Sequence, residues 1–183
     1  MYKSNLANFN NIWYKPGSKI KILSWYFINI IFFKSSLLIP NSVKSKLLKL
    51  FGGKIGSRVW YKPGINIKYP WFLDIGSDVW IGENVWIDNL AKITIGDNVC
   101  ISQGAMLLTG NHNYKKSTFD LITGEIHLEE GVWAGAQTVV CPGVTMKSHS
   151  ILTVGSVLTK DTEPYTIYQG NPATAVKHRE ITA

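Results

Sequence analysis

IGSDVWIGENVW (75–86) is one six-residue phrase written twice, and near-copies stand on either side of it as IGSRVW (55–60) and IGDNVC (95–100). Each phrase opens on a large aliphatic, usually followed by Gly, and carries a small or β-branched residue fifth. The register continues through Ile101, Leu107, Leu128, Ala134, Val140, Met146, Leu152 and Leu158. Six is no near-multiple of 3.6, and the Gly, Asn and Pro content breaks helices. Hexapeptide repetition is instead the mark of a parallel β-helix. Each hexapeptide supplies a short strand and a corner, and three close one triangular coil of 18 residues. The first residue points into the prism and stacks on its counterparts above and below. The fifth points inward near a corner, where Val59, Val79, Val85, Ala91, Val99, Ala105, Val132, Thr138 and Val144 fit. Gly and Asn between them suit the positive backbone angles of a sharp corner.

The spacing predicts five coils, at 55–72, 75–92, 95–112, 128–145 and 146–163, standing about 24 Å tall at strand spacing. Two-residue insertions fall at 73–74 and 93–94. One long insertion, at about 109–127, leaves the stack after Leu107. The chain of 183 residues then divides into an N-terminal helical cap (1–54), the β-helix (55–163) and a C-terminal tail (164–183).

Charge follows this division. Residues 1–54 hold nine Lys and no acid, a net +9; the remainder holds ten Lys plus Arg against twelve acids, a net −2. Within the basic segment, ILSWYFINIIFF (22–33) is an uncharged run between Lys21 and Lys34, too short for the roughly 20 apolar residues of a membrane span. After Pro40, SVKSKLLKLF (42–51) suits a short amphipathic helix. Two readings stand: these segments cap the open edge of the first coil, or they also hold the protein against an anionic cytoplasmic leaflet. Nucleic-acid binding is disfavoured, because the lysines alternate with large aliphatics rather than with Arg and stacking aromatics. Cys100 and Cys141 form no C-x-x-C pair and suggest neither disulfide nor metal. No cleavable signal peptide is visible, which makes a cytoplasmic location the expectation.

The insertion opens TGNHNY (109–114), a His among polar residues on a segment projecting from a rigid scaffold, where function usually sits. By itself it reads as a surface His. Its company is more telling: Trp133 in the next coil, VGSVLTKD (154–161), QGNPA (169–173) and a basic tail. In that order these resemble the hexapeptide-repeat acyltransferases, within them the maltose and galactoside O-acetyltransferase group, and most of all the colanic-acid-biosynthesis type. For that type the resemblance covers nearly the whole chain, including NIWYKPG (11–17), IKYPWFLDIG (67–76), NLAKITIGDNVCISQGA (89–105) and TFDLITGEI (118–126).

The resemblance implies a left-handed β-helix and acetyl-CoA as cosubstrate, with no metal. His112 matches the catalytic base, and a neutral imidazole is suited to take the proton of a sugar hydroxyl as it attacks a thioester. Asp88 occupies the place of a polar sugar-binding residue, one coil before the His-bearing strand, and Asn113 and Tyr114 flank the base on the acceptor side. The coenzyme is expected along Trp133, Gly135, Ala136, Val154 and Gly155, with the Ala136 N–H as oxyanion donor and Lys160, Lys177 and Arg179 near its phosphates. Trp133 also reads as plain packing, Asp88 as a solvated corner carboxylate, and each basic residue as a solvated charge. Three departures stand out. Ala134 replaces Ile or Val, Thr174 replaces Lys or Arg, and Asn113 replaces Asp after the His. The family also implies a homotrimer with the insertion of one chain reaching its neighbour, a role that Phe119, Leu121 and Ile122 fit.

The activity expected is O-acetylation of a sugar hydroxyl in surface-polysaccharide synthesis, on a sugar, nucleotide-sugar or lipid-linked acceptor. N-acetylation of an amino sugar and a non-catalytic scaffold remain as alternatives. A metal hydratase needs converging histidines, a spacing that His112, His127, His149 and His178 lack.

Overall fold

A computed structural model describes residues 3–182. Three parallel sheets wall a triangular prism, a left-handed β-helix whose rungs each contribute one short strand to each wall. The first wall runs Lys54–Ile55, Leu73–Ile75, Ile93–Ile95, Ile126–Leu128 and Thr145–Met146. The second begins Trp60–Tyr61, Trp80–Ile81, Cys100–Ile101, Trp133–Ala134 and Ile151–Leu152. The third is Asn66–Ile67, Trp86–Asp88, Met106–Leu108, Val139–Val140 and Val157–Leu158. Ile75 pairs with Ile95 and Ile95 with Leu128, all three buried, so the internal column expected from the repeat is present. Equivalent columns hold Ile81, Ile101 and Leu152 on the second wall, and Ile87, Leu107 and Leu158 on the third.

Corners turn at the fourth hexapeptide position through a left-handed backbone angle. Asn84 and Asn98 adopt it, as the composition suggests, but so do Arg58, Asp78, Gln137 and His149. Asp and His tolerate that angle, and at Arg58 and Gln137 rung stacking outweighs intrinsic preference. Arg58 and Asp78, at the same corner of successive rungs, form a two-pronged ion pair at 2.5 and 2.6 Å.

The second wall exceeds the five expected rungs. Thr166–Gly170 pairs with Ile151–Leu152 as a sixth parallel strand, and Ala173–His178 folds back antiparallel on its outer edge. The C-terminal tail is thus a hairpin that continues the wall.

At the other end, α1 (Lys19–Ile28), its wider continuation Asn29–Lys34, and α2 (Asn41–Leu50) lie across the first rung. Trp25, Phe33 and Leu48 are buried there. The open strand edges are met by side chains. The Trp25 indole N–H donates to the Ile67 carbonyl at 2.7 Å, and Asn29 accepts from the Ile67 N–H. Lys44, itself buried, donates to the Tyr61 carbonyl at 3.2 Å, and Asn41 accepts from the Tyr61 N–H. These bonds satisfy groups that would otherwise recruit a foreign strand.

Candidate active site

The insertion is more ordered than a polar loop. It leaves the third wall after Leu108, runs out as Gly110–His112, turns, and returns antiparallel as Leu121–Thr123 with His112 opposite Leu121. The prism resumes at Ile126, two residues earlier than the repeat suggests. Gly110 has a steric reason: a Cβ there would collide with the Leu90 side chain and stand 3.8 Å from Asp88 Oδ2. The hairpin therefore starts hard against the Asp88 corner.

His112 is half-buried and held from three sides. Its Nδ1 lies 2.9 Å from the Phe119 carbonyl oxygen. A carbonyl only accepts, so Nδ1 carries the proton, and Nε2 of the neutral ring keeps a free lone pair. The Phe119 ring stacks on the imidazole, centroids 4.5 Å apart and planes within 10°. Phe9, from the N-terminal segment, approaches at 5.9 Å. That segment is tied to the hairpin by the Asn5 N–H donating to the Ser117 carbonyl. Phe119 adopts φ +53°, unusual for a bulky residue, and in doing so turns both ring and carbonyl onto His112. Asn113 is half-buried, its N–H bonded to the Asp120 carbonyl; Tyr114 is exposed.

Asp88 shares this corner. One oxygen lies 3.1 Å from the Lys68 ammonium with no hydrogen bond directed at it. Asp88 lines a cavity of about 260 Å³ between the third wall and α1. Burial pushes the nearby Tyr14 and Tyr69 phenols above their usual range; the negative potential of Asp88 adds to this at Tyr69, and at Tyr14 Tyr69 and then Asp88 do so.

The expected coenzyme residues lie elsewhere, except Lys160, which follows the third wall at this same corner two rungs on. Trp133 projects outward from the second wall, its indole N–H donating to Ser102 Oγ at 2.9 Å. Gly135 and Ala136 form the corner that follows, with Val154 and Gly155 one rung beyond at the same corner, where the Gly155 N–H bonds the Ala136 carbonyl. Gly135 is buried, and a Cβ on it would strike the Leu152 carbonyl and the Val154 nitrogen of the next rung. The Ala136 N–H has no hydrogen-bond partner among the described residues. Lys177 sits exposed on the outermost strand of the same wall. Lys160 is exposed past the third-wall strand Val157–Leu158. Arg179 is half-buried and directs Nη1 to the carbonyls of Gly131 and His149 at 2.9 and 3.0 Å.

One chain thus carries two half-sites. His112, Asn113, Tyr114 and Asp88 gather where the third wall meets the first. Trp133, Gly135, Ala136, Val154, Gly155 and Lys177 follow the second wall and its far corner. In a triangular section, the corner between two walls lies across the prism from the third, so the buried core separates Trp133 and Lys177 from His112, and the width of the third wall separates the Gly135–Ala136 corner from it. Burial pushes the thiols of Cys100 and Cys141 up, away from the thiolate form a nucleophile needs. Among the described residues no group of three or more His, Cys, Asp or Glu is arranged to hold a metal ion.

Sequence reasoning assigned Phe119 to a contact with a neighbouring chain, where the structure sets it on His112 of its own chain, and missed Phe9, Lys68 and Tyr14. None lies on a repeat position, and their roles arise from the path of the hairpin and the N-terminal segment over the corner.

A prism of hexapeptide rungs with a His-bearing hairpin between the third and fourth defines a hexapeptide-repeat acyltransferase. The chain is 32% identical over 169 residues to the "Putative colanic acid biosynthesis acetyltransferase WcaF" of Escherichia coli K12, covering 92% of this chain and 93% of that one. It is 29% identical over 143 residues to the galactoside O-acetyltransferase of the same organism, covering 75% and 70%. The solved hexapeptide-repeat acetyltransferase VCA0836 of Vibrio cholerae O1 biovar eltor, complexed with acetyl coenzyme A, matches with TM-score 0.72 at 25% identity over 80% of this chain and 81% of that one. No protein-family model matches the chain. The chain belongs to the hexapeptide-repeat acetyltransferases and is an acetyltransferase.

Proposed function

We propose that this protein moves an acetyl group from acetyl-CoA directly to a sugar hydroxyl during surface-polysaccharide synthesis in the cytoplasm, with His112 as general base. The observation that carries the reading is the 2.9 Å contact between His112 Nδ1 and the Phe119 carbonyl, which leaves Nε2 as the proton acceptor. Nε2 takes the hydroxyl proton as the sugar oxygen attacks the thioester carbonyl. The tetrahedral oxyanion is met by the unpaired Ala136 N–H. Collapse breaks the carbon–sulfur bond, and the imidazolium proton passes to the departing coenzyme thiolate. The raised thiols of Cys100 and Cys141 agree with transfer without an acyl-enzyme. Asp88, Asn113 and Tyr114 would orient the acceptor. Trp133, Gly135, Val154 and Gly155 would line the pantetheine arm, with Lys160, Lys177 and the remaining N–H groups of Arg179 toward the phosphates.

The separation of the half-sites across the prism supports a homotrimer with closed cyclic symmetry, in which the His112 corner of one chain meets the Trp133 wall of its neighbour. The relatives' names, a colanic acid biosynthesis acetyltransferase and a galactoside O-acetyltransferase, favour a saccharide acceptor. Mixing a His112→Ala chain with a chain carrying Trp133→Ala and Ala136→Pro tests the arrangement. Each is expected to be inactive alone, and mixed trimers should regain activity at the junctions that pair two intact half-sites. No recovery despite proven mixing would confine each site to one chain.

A further inference from the structure

The N-terminal helix carries two apolar stripes where its packing uses one. Trp25, Asn29 and Phe33 recur at four-residue intervals and are all buried against the first rung. A cap helix with that single stripe ordinarily turns charged residues outward. Here Ile20, Leu23, Phe27, Ile30 and Ile31 recur at three- and four-residue intervals on the opposite side and are exposed, and no charge interrupts residues 22–33. The turn that follows adds Leu37 and Leu38, the latter 92% exposed. A helix apolar on both faces has an unmet partner.

The charge around it says what the partner is. Residues 1–54 contain nine lysines and no Asp or Glu, and of these only Lys44 is buried. Lys19 opens the helix and Lys34 closes its continuation. A second copy of this chain would bring the same positive charge and no acid from the matching segment. A bilayer rich in anionic headgroups supplies hydrocarbon for the stripe and negative charge for its flanks. Among the described residues no helix is long and apolar enough to cross a membrane, and a helix with its other face packed on protein lies flat.

We propose that the outer face of this helix docks the enzyme on an anionic lipid surface. The Asp88 cavity is roofed by the same helix, through Ile22, Tyr26 and Lys34, and walled by Lys68 and Trp86. Docking therefore holds that cavity one helix diameter, ~10 Å, from the lipid surface. Resting on the acceptor role proposed for Asp88, this makes a saccharide attached to membrane lipid the acceptor class.

Flotation with vesicles of phosphatidylcholine, with or without phosphatidylglycerol, tests the docking without any acetyl transfer, so its failure is distinct from failure of the transferase reading. The full chain should float with anionic vesicles, at least about tenfold less with neutral ones, and less in high salt. The paired change Ile20→Glu and Phe27→Glu, and separately Leu38→Glu, should each weaken flotation about tenfold, with melting temperature, oligomeric state and acetylation of a water-soluble galactoside unchanged. A wild-type chain that stays unbound, or variants that float as well as wild type, would overturn the proposal. So would variants that change the oligomeric state, which would assign the face to a contact between copies.

Discussion

The walls of the prism and the His112 hairpin are built on opposite plans. In a wall, every inward residue meets its own counterpart one rung away, so Ile75, Ile95 and Leu128 repeat one contact. In the hairpin nothing repeats: one carbonyl, one stacked ring and one tie to Asn5 hold His112. Redundancy makes the walls a stability element. Singularity makes the hairpin a chemical one, with little of the fold depending on it.

Substitutions should separate the two. His112→Ala is expected to lower acetyl transfer roughly 10²–10⁴-fold while the thermal midpoint barely moves; steady-state kinetics beside a melting curve reads both. Ile95→Ala, on a side chain 1% exposed, should cost about 2–5 kcal/mol of folding stability by denaturant titration. The folded remainder should retain near-normal turnover. A wall variant that lost turnover without losing stability, or a His112 variant that lost both together, would erase the distinction.

A finer probe lies at the helix–wall junction. Tyr61 is buried beneath α2, where Ser45 donates to its hydroxyl at 3.2 Å, and burial pushes its phenol up to about 12. An unfolded tyrosine ionises near pH 10, so this contribution is fully present below pH 10 and lost as pH rises toward about 12. The loss is at most about 2–3 kcal/mol. Tyr61→Phe should flatten the alkaline end of the stability curve. An unchanged slope would mean the junction opens before the phenol ionises.

The walls were legible in the sequence because each inward position is dictated by its own rung: IGSDVW and IGENVW state their geometry locally. The sixth rung was hidden, since TIYQG (166–170) carries no hexapeptide and pairs only because Ile151–Leu152 presents an open edge. His112 was legible through family resemblance, not through periodicity. Its partner Phe119 was not, because the +53° angle that aims its carbonyl is imposed by the turn of the hairpin. The uncharged run 22–33 announced a helix without a polar face, but only packing shows which stripe, Trp25–Asn29–Phe33, is taken.

The excursion between the third and fourth rungs bears on chain entropy. Ile75 meets Ile95 after twenty residues, and Ile95 meets Leu128 after thirty-three (128 − 95). Closing the longer loop costs only about 0.4 kcal/mol more, because the penalty grows with the logarithm of length. A segment bearing new chemistry can therefore lengthen, shorten or be exchanged at this joint for a fraction of a kcal/mol, and the strands beyond it still find their register.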